Sequence, residues 1–167
     1  MARRAPVRLV PPDVPAQEPR PYDEEQHARL LDRVKRTLTD IAPRDWARVD
    51  AKILMLADVC ETDLTVVTKK GGRPLVEPVP ELVRTAAEIR SAMYRPDEGT
   101  WFGIRFMMDA PGTFWASFNR TFDPLWDPPL PPEVWARDLA VFPRAEEAVP
   151  EWLRGRLAAP APHRPDQ

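Results

Sequence analysis

The sequence GTWFGIRFMMDAPGTFWASFN, residues 99–119, predicts a β-hairpin. Its first run alternates apolar and other side chains, which is typical of a strand with one buried face. The inward residues of that run are Phe102, Ile104, Phe106 and Met108. After the turn sequence APG, a second run places Phe114, Ala116 and Phe118 on one face. Because proline presets one turn dihedral and glycine accepts a positive φ, the Pro-Gly pair favours a tight connection between two strands.

A second hairpin is predicted upstream of the first. Residues 46–59, WARVDAKILMLADV, alternate near their start, and residues 64–70, LTVVTKK, are β-branched and end at two glycines. The intervening CETD, residues 60–63, is interpreted as a short polar connection. The two strands are therefore expected to pair with each other.

Helical patterns surround the two hairpins. Asp23 is a suitable N-cap for a first helix that closes at Pro43, and Pro80 lies near the first position of a second. Two shorter helices, near residues 131–142 and 150–157, follow a proline-rich connector. The order α-β-β-α-β-β-α-α predicts an α+β fold, in which an antiparallel sheet of two hairpins carries helices packed on one side.

Length, proline content and charge predict the domain organisation. The chain has 167 residues, enough for one domain, and 22 are prolines, many of them near the ends. We predict a proline-rich flexible N-terminal tail over residues 1–21, a single domain over residues 22–157 and a flexible C-terminal tail over residues 158–167. The domain carries 19 basic and 23 acidic residues, a net charge of −4. Direct nucleic-acid binding is not expected, because it requires a basic surface.

Residue types that support cofactor or metal chemistry are sparse. The six glycines form no dinucleotide- or phosphate-binding loop, and the two histidines, His27 and His163, have no neighbouring ligand partner. The sequence therefore predicts no catalytic residue, no cofactor and no metal. Its apolar runs are too short to span a bilayer, and its first residues lack the apolar region of a signal peptide. We expect a cytoplasmic protein with no membrane partner.

Two functions remain open from the residues alone. Asp58, Glu61 and Asp63 cluster near the first hairpin connection, and paired carboxylates serve acid–base hydrolysis, although a solvated turn is the simpler interpretation. A small hydrolase using these three residues is one alternative. The other is a structural adaptor whose proline-rich tails bind aromatic grooves as polyproline helices.

The C-terminal half resembles the YezG-like immunity proteins, small bacterial antitoxins that neutralise polymorphic toxins. The resemblance lies between residues 99 and 153. It begins with a strand that starts at a tryptophan, a turn that ends in glycine, and an aromatic strand that ends at asparagine. A helix, the sequence FPR and a final P-x-W-L motif follow. Arg120 departs from the pattern, because the family continues with an aromatic residue there. The matching residues are Trp101, Gly112, Phe114, Phe118, Asn119, Leu139, Phe142, Pro143, Arg144, Pro150, Trp152 and Leu153.

The resemblance implies an antitoxin that binds and neutralises a cognate secreted toxin, with nucleases among the toxin classes that relatives oppose. It implies no catalytic residue, cofactor or nucleic-acid contact, and it leaves the oligomeric state open. An acidic surface would steer association with the basic cleft of a nuclease. Trp126, which stands between two aspartates, is interpreted as exposed. The predicted partner contacts are Asp123, Trp126, Asp127, Glu146, Glu147 and Glu151.

Overall fold

The computed structural model describes residues 8–159. Its elements follow the predicted order, with one short strand added at the start. The strands are β1 (Arg8–Leu9), β2 (Trp46–Met55), β3 (Val59–Thr68), β4 (Gly103–Asp109) and β5 (Thr113–Asn119). The helices are α1 (Glu24–Ile41), α2 (Pro80–Ala92), α3 (Pro132–Val141) and α4 (Glu151–Ala158), and a 3₁₀ turn spans Glu146–Ala148.

The strands of the described chain form an antiparallel sheet in the order β1-β3-β2-β4-β5. The α+β fold with two hairpins is thus confirmed, since β2 pairs with β3 and β4 pairs with β5. Residues 60–63, predicted as a connection, lie within β3 instead. The chain turns earlier, where the Leu56 N–H donates to the Val59 carbonyl at 2.9 Å. Side chains alternate through this polar segment, with Cys60 in the core, so its composition did not mark a turn.

α1 and α2 lie on one face of the sheet and enclose the main core. The side chain of Asp23 caps α1 by accepting from the Gln26 N–H at 3.0 Å, as its position predicted. α1 then buries three side chains about one turn apart, namely Leu30, Val34 and Leu38. The sheet supplies every second residue of its central strands, including Val49, Ala51, Ile53, Met55, Ile104, Phe106 and Met108. α2 completes the core with Leu82, Ala86 and Ile89.

A second apolar cluster lies at the end of the sheet where α3 and α4 meet. The rings of Phe102, Trp135 and Trp152 pack edge to face, with centroids 5.3 to 5.9 Å apart. Such pairs add about 0.5–1.5 kcal/mol each beyond the burial of their area. Leu54 and Leu153 also belong to this cluster, and alternation places Leu54 on the sheet face away from α1 and α2. The two C-terminal helices are therefore fixed to the sheet by aromatic packing.

Residues 8–21 lie against the domain, which differs from the flexible tail predicted over residues 1–21. β1 pairs with β3, and Val14 is buried in the main core. Gln17 donates through its side-chain amide to the carbonyls of Leu56 and Ala57, at 3.1 and 3.3 Å. Prolines suit this extended course because they lock φ and carry no N–H that would need a partner. Proline content therefore indicated an extended segment without indicating that it is docked.

The last helix ends close to the predicted end of the domain. α4 ends at Ala158, one residue beyond the predicted boundary at 157. The remaining parts of the two predicted tails, residues 1–7 and 160–167, lie outside the described residues.

A buried ion pair joins the two clusters. The guanidinium of Arg90 in α2 donates to both carboxylate oxygens of Asp138 in α3, at 2.7 and 2.9 Å, and neither side chain is more than 4% exposed. Arg90 also donates to the Trp101 carbonyl at 2.8 Å and to the Gln17 side chain at 3.1 Å. Asp138 accepts further from the N–H of Ala57 at 2.7 Å. Both charges are thus hydrogen-bonded, as burial of a charge requires.

Arg90→Met should destabilise the fold by about 3–5 kcal/mol, because it leaves the Asp138 carboxylate buried without its cation. Arg90→Met combined with Asp138→Asn should recover part of that loss, since the asparagine is neutral and still accepts from Ala57. Urea unfolding of the two variants beside the wild type measures the difference. A double variant no more stable than the single one would show that the charge pair contributes little.

Candidate functional site

The sheet face opposite α1 and α2, here named the open face, carries charged side chains. Alternation places Arg48 and Asp50 of β2 on this face, beside Arg105 and Asp109 of β4. Arg48 donates to Asp109 at 2.6 and 2.8 Å, and this hydrogen bonding holds the pKa of Asp109 below its usual value. Arg105 donates to Asp50 at 3.0 and 2.5 Å. The positions of these four charges are therefore set by bidentate pairing.

A shallow groove of about 360 Å³ crosses the open face near the ends of β4 and β5. Its floor has no bulky side chain at Gly103, where a Cβ would lie 3.1 Å from the Leu54 side chain. Along the sheet the groove is lined by Lys52, Leu54, Gly103, Arg105, Ser117 and Asn119. The loop that follows β5 forms its other side with Phe122, Asp123, Pro124 and Leu125. The groove thus combines an apolar base with two cationic side chains.

We name residues 119–126, which begin at the last residue of β5, the anchor loop. Side-chain hydrogen bonds set its backbone. Oδ1 of Asn119 accepts from the Phe122 N–H, and Nδ2 of Asn119 donates to the Phe122 carbonyl, both at 2.9 Å. Oδ1 of Asp123 accepts from the Leu125 N–H at 2.9 Å. Such local bonds from Asn and Asp replace the hydrogen bonds of regular structure in turns.

α4 and the second apolar cluster attach the anchor loop to the domain. Trp152 donates through Nε1 to the Thr121 carbonyl at 2.8 Å, and Arg156 donates to the Asp123 carboxylate at 3.0 Å. The loop ends at Trp126, which is only 5% exposed and lies in the second cluster. The loop is therefore attached at both ends and along its length, although beyond Asn119 it contains no helix or strand.

The anchor loop presents two large apolar side chains to solvent. Phe122 is 78% exposed and Leu125 is 63% exposed. Leu125 also has a φ of 58°, the left-handed conformation that costs an L-residue with a side chain about 1 kcal/mol. Asparagine or glycine would adopt this backbone more readily than leucine. Neither exposure nor strain stabilises the fold, so these two residues mark the loop as a candidate binding element.

The structure separates the three contacts predicted in this segment. The predicted exposure of Trp126 is wrong, since the ring is buried; a proline-rich connector offers few backbone hydrogen bonds and is attached instead through its largest apolar side chain. Asp123 is partly buried and supports the loop through Leu125 and Arg156. Asp127 is exposed directly after the loop.

Three of the predicted contacts lie together beyond α3. Glu146 and Glu147 belong to the 3₁₀ turn, Glu151 begins α4, and all three are exposed. We name these three residues the acidic corner. Arg154 fixes the corner by donating to the Glu146 carbonyl at 2.6 Å. Because α4 also contacts the anchor loop, the acidic corner and the exposed apolar pair are supported by the same helix.

Arg144 ties the acidic corner to the anchor loop. It donates to the Thr100 carbonyl at 2.6 Å and to the Arg120 carbonyl at 2.8 Å, and its Cζ lies 4.3 Å from the Phe102 ring centre. Burial lowers the pKa of Arg144 to about 10, so the side chain remains a cation at neutral pH. Gly99 leaves room for this arrangement, since a Cβ there would lie 2.4 Å from Arg144 Nε. The hydrogen bonds of Arg144 therefore depend on a glycine at position 99.

Arg120, which departs from the family pattern, has a structural role at the start of the anchor loop. Its guanidinium donates to the Met93 carbonyl at 3.0 Å and to the Gly99 carbonyl at 3.3 Å. Burial lowers the pKa of this side chain. Arg120 therefore holds the loop against the segment that follows α2 and does not extend β5.

The carboxylates of the alternative hydrolase do not occupy one turn. Asp58 is exposed in the β2–β3 turn, whereas Glu61 and Asp63 lie within β3 on the open face, opposite Leu54 and Lys52. Within residues 8–159, no group of three or more His, Cys, Asp or Glu side chains is arranged to hold a metal ion. None of the helices in that range is long and apolar enough to cross a membrane.

Sequence reasoning missed Phe122 and Leu125. The signal available was their position in FDPLWDPP, residues 122–129, where apolar residues stand among aspartates and prolines without any periodicity. That pattern predicts a loop and does not show which of its apolar side chains is buried. Trp126 took the buried position, and the two smaller residues were left exposed.

Leu125→Asn should raise the free energy of unfolding by up to about 1 kcal/mol, because asparagine tolerates the left-handed backbone better than leucine does. Leu125→Ala keeps a Cβ and the strain, and it should stay within about 0.5 kcal/mol of the wild type. Urea unfolding of both variants measures the effect. A loss of stability in Leu125→Asn would show that the leucine side chain contributes to the fold.

No family model matches the chain, and no curated protein matches it either.

Proposed function

We propose that this protein is an immunity protein, an antitoxin that binds a cognate secreted bacterial toxin and neutralises it stoichiometrically. The observation that carries the proposal is the exposed Leu125, held in a strained backbone conformation beside exposed Phe122 on a tightly attached loop. Strained backbone conformations cluster at functional sites, so the strain at Leu125 supports a role of this side chain in binding. The resemblance of residues 99–153 to YezG-like immunity proteins supports the same function.

The shape of the site favours a protein partner over a small molecule. Small-molecule sites are concave and enclose most of the ligand surface, whereas Phe122 and Leu125 project beside a shallow groove. Protein interfaces are typically centred on a few apolar anchors within a polar rim. Here the rim is supplied by Lys52 and Arg105 on the open face and by Asp127 at the end of the loop.

A rigid loop improves binding because less conformational entropy is lost on association. The residues that hold the anchor loop include several that carry the family resemblance, namely Asn119, Arg144 and Trp152. Their side chains bond to backbone groups of the loop, so they act by positioning rather than by contact. This supports an interpretation in which the shared pattern maintains a scaffold while the exposed residues set the choice of toxin.

The acidic corner supports a partner with a basic surface, such as a nuclease toxin. Glu146, Glu147 and Glu151 are exposed and add charge to a domain with a net charge of −4. Charges at the rim of an interface mainly raise the association rate and lose this effect as salt increases. In this proposal the corner steers the encounter and the anchor loop supplies the lasting contact.

Phe122→Ala and Leu125→Ala should each weaken binding of the toxin domain encoded beside this gene by at least about tenfold. Leu75→Ala is the matched control, because Leu75 is 90% exposed and lies in the loop after β3. The affinity of this variant for the toxin domain should not change. Isothermal titration measures the three affinities, and co-expression with the toxin reports protection of the cell. Equal affinity for all three variants would exclude the anchor loop as the contact, and the absence of any complex would exclude the proposed function.

Reversing charge in Glu146→Lys with Glu147→Lys should slow association about tenfold at low salt and by a much smaller factor at 0.5 M salt. Dissociation should change little, because these residues lie at the rim. Stopped-flow mixing with the same toxin domain over a range of salt concentrations measures both rates. An unchanged association rate at low salt would show that the acidic corner is only a solvated helix end.

A further inference from the structure

β5 has a neighbouring strand on one side only within the described chain. The sheet order ends at β5, and its other side borders no strand of residues 8–159. The opposite edge is covered differently: β1 pairs with the start of β3, and the Val10 N–H donates to the Asp58 carbonyl at 3.0 Å. The N-terminal segment therefore covers the opposite edge only at the start of β3, and on one side all seven residues of β5 lack a strand partner within residues 8–159.

β5 carries none of the features that usually prevent edge strands from pairing. Natural edges are blunted by charged residues, proline, a bulge or a very short strand. The sequence of β5, TFWASFN, contains no charged residue and no proline, and its register with β4 is continuous over all seven residues. Trp115 is 39% exposed, and Phe114 and Phe118 are partly buried. Pairing with another strand would cover apolar surface as well as backbone groups.

We propose that β5 pairs antiparallel with β5 of a second copy of this chain, with a two-fold axis at Ala116. This register pairs all seven residues, whereas any other centre shortens the overlap. It places Trp115 opposite the partner subunit's Ser117 and Phe114 opposite the partner subunit's Phe118. The smallest apolar side chain of β5 lies at the axis, where two identical residues must face each other. Directly opposed aromatic side chains stabilise such strand pairs.

A second copy fits this edge better than an unrelated strand because the sequence of β5 is compatible with itself. No pair in the proposed register brings like charges together. A two-fold contact uses the β5 edge of both subunits at once, so this contact closes at two copies and does not continue into a fibre. The result is a continuous sheet through both subunits. This dimer is independent of the proposed function.

The two-fold axis is perpendicular to the sheet, so both open faces lie on the same side of the dimer. The two anchor loops follow the C-terminal ends of antiparallel strands and are separated by roughly 20 Å or more, from about 3.4 Å per residue over six residue steps. The dimer would therefore present two copies of the exposed apolar pair side by side.

Disulfide trapping tests the register in a Cys60→Ala background. In Ala116→Cys the two Cα atoms face each other at about 4.5–5.5 Å, within the range that a disulfide bridges. Thr113→Cys is the matched control, because the proposed register places its two copies about 20 Å apart. Mild oxidation should convert most of Ala116→Cys to a covalent dimer and little of Thr113→Cys. Equal trapping of the two variants would overturn the register.

Charge substitution tests the dimer itself by sedimentation velocity over a range of concentrations. Trp115→Glu with Ser117→Glu places like charges opposite each other twice and should raise the dimer dissociation constant at least about tenfold. Trp115→Lys with Ser117→Glu removes the same tryptophan but places opposite charges across the interface, so it should dimerise better than the double glutamate. Matching circular dichroism spectra of the two variants would establish that both are folded.

The wild type should sediment as a monomer–dimer equilibrium. A monomer at every concentration, or an open series of larger oligomers, would overturn the proposal. Equal dissociation constants for the two charge variants would also overturn it, since the interface would then lie elsewhere. If the wild type is a monomer and both charge variants lose the complex with the toxin domain, the result supports the alternative that a strand of a different protein pairs with β5.

Discussion

The bidentate ion pair between Arg90 and Asp138 is the contact on which the rest of the structure depends. It brings together α2 and α3, the β2–β3 turn through Ala57, and the N-terminal segment through Gln17. These parts are far apart in sequence, and apolar packing alone would not fix their relative orientation, because it is not directional. A buried charge pair allows few alternative arrangements because each donor needs a matching acceptor. The pair therefore aligns the C-terminal helices with the sheet.

This alignment reaches the surface through two further arginines. Arg144 bonds to the carbonyls on either side of β4 and β5, and Arg120 bonds back to the segment after α2. Guanidinium groups suit this task because each offers five donors in a planar fork. Carbonyls that end a strand or a helix are thus satisfied by side chains rather than by water. The anchor loop gains a defined shape without any regular secondary structure of its own.

The repeating parts of the fold could be predicted from the sequence, because helices and strands impose periods that the side chains display. The two hairpins, the order of elements and the cap at Asp23 follow from such local rules. The docking of residues 8–21 against the domain could not be predicted, since an extended proline-rich segment has the same composition whether it is free or attached. Burial of Trp126 likewise depends on a pocket formed by distant residues. The exposed residues of the anchor loop were missed for the same reason, because loops without periodicity do not show which face is covered.

The anchor loop separates the residues that set its shape from the residues that it presents. Asn119, Asp123 and Trp152 hold the backbone, while Phe122 and Leu125 make little contact with the domain that carries them. Substitution of the presented residues therefore leaves the supporting hydrogen bonds in place. A scaffold of this kind allows the exposed residues to change without a change of fold.

Gly99 limits that freedom from the inside of the molecule. Its φ of +75° and the 2.4 Å approach of Arg144 to its missing Cβ leave no space for another side chain. Substitution at position 99 would displace Arg144 and weaken the support that Arg144 gives to the anchor loop. Substitutions are therefore tolerated at the exposed residues of the loop but not at Gly99. Related sequences that differ at positions 122 and 125 should still have glycine at position 99.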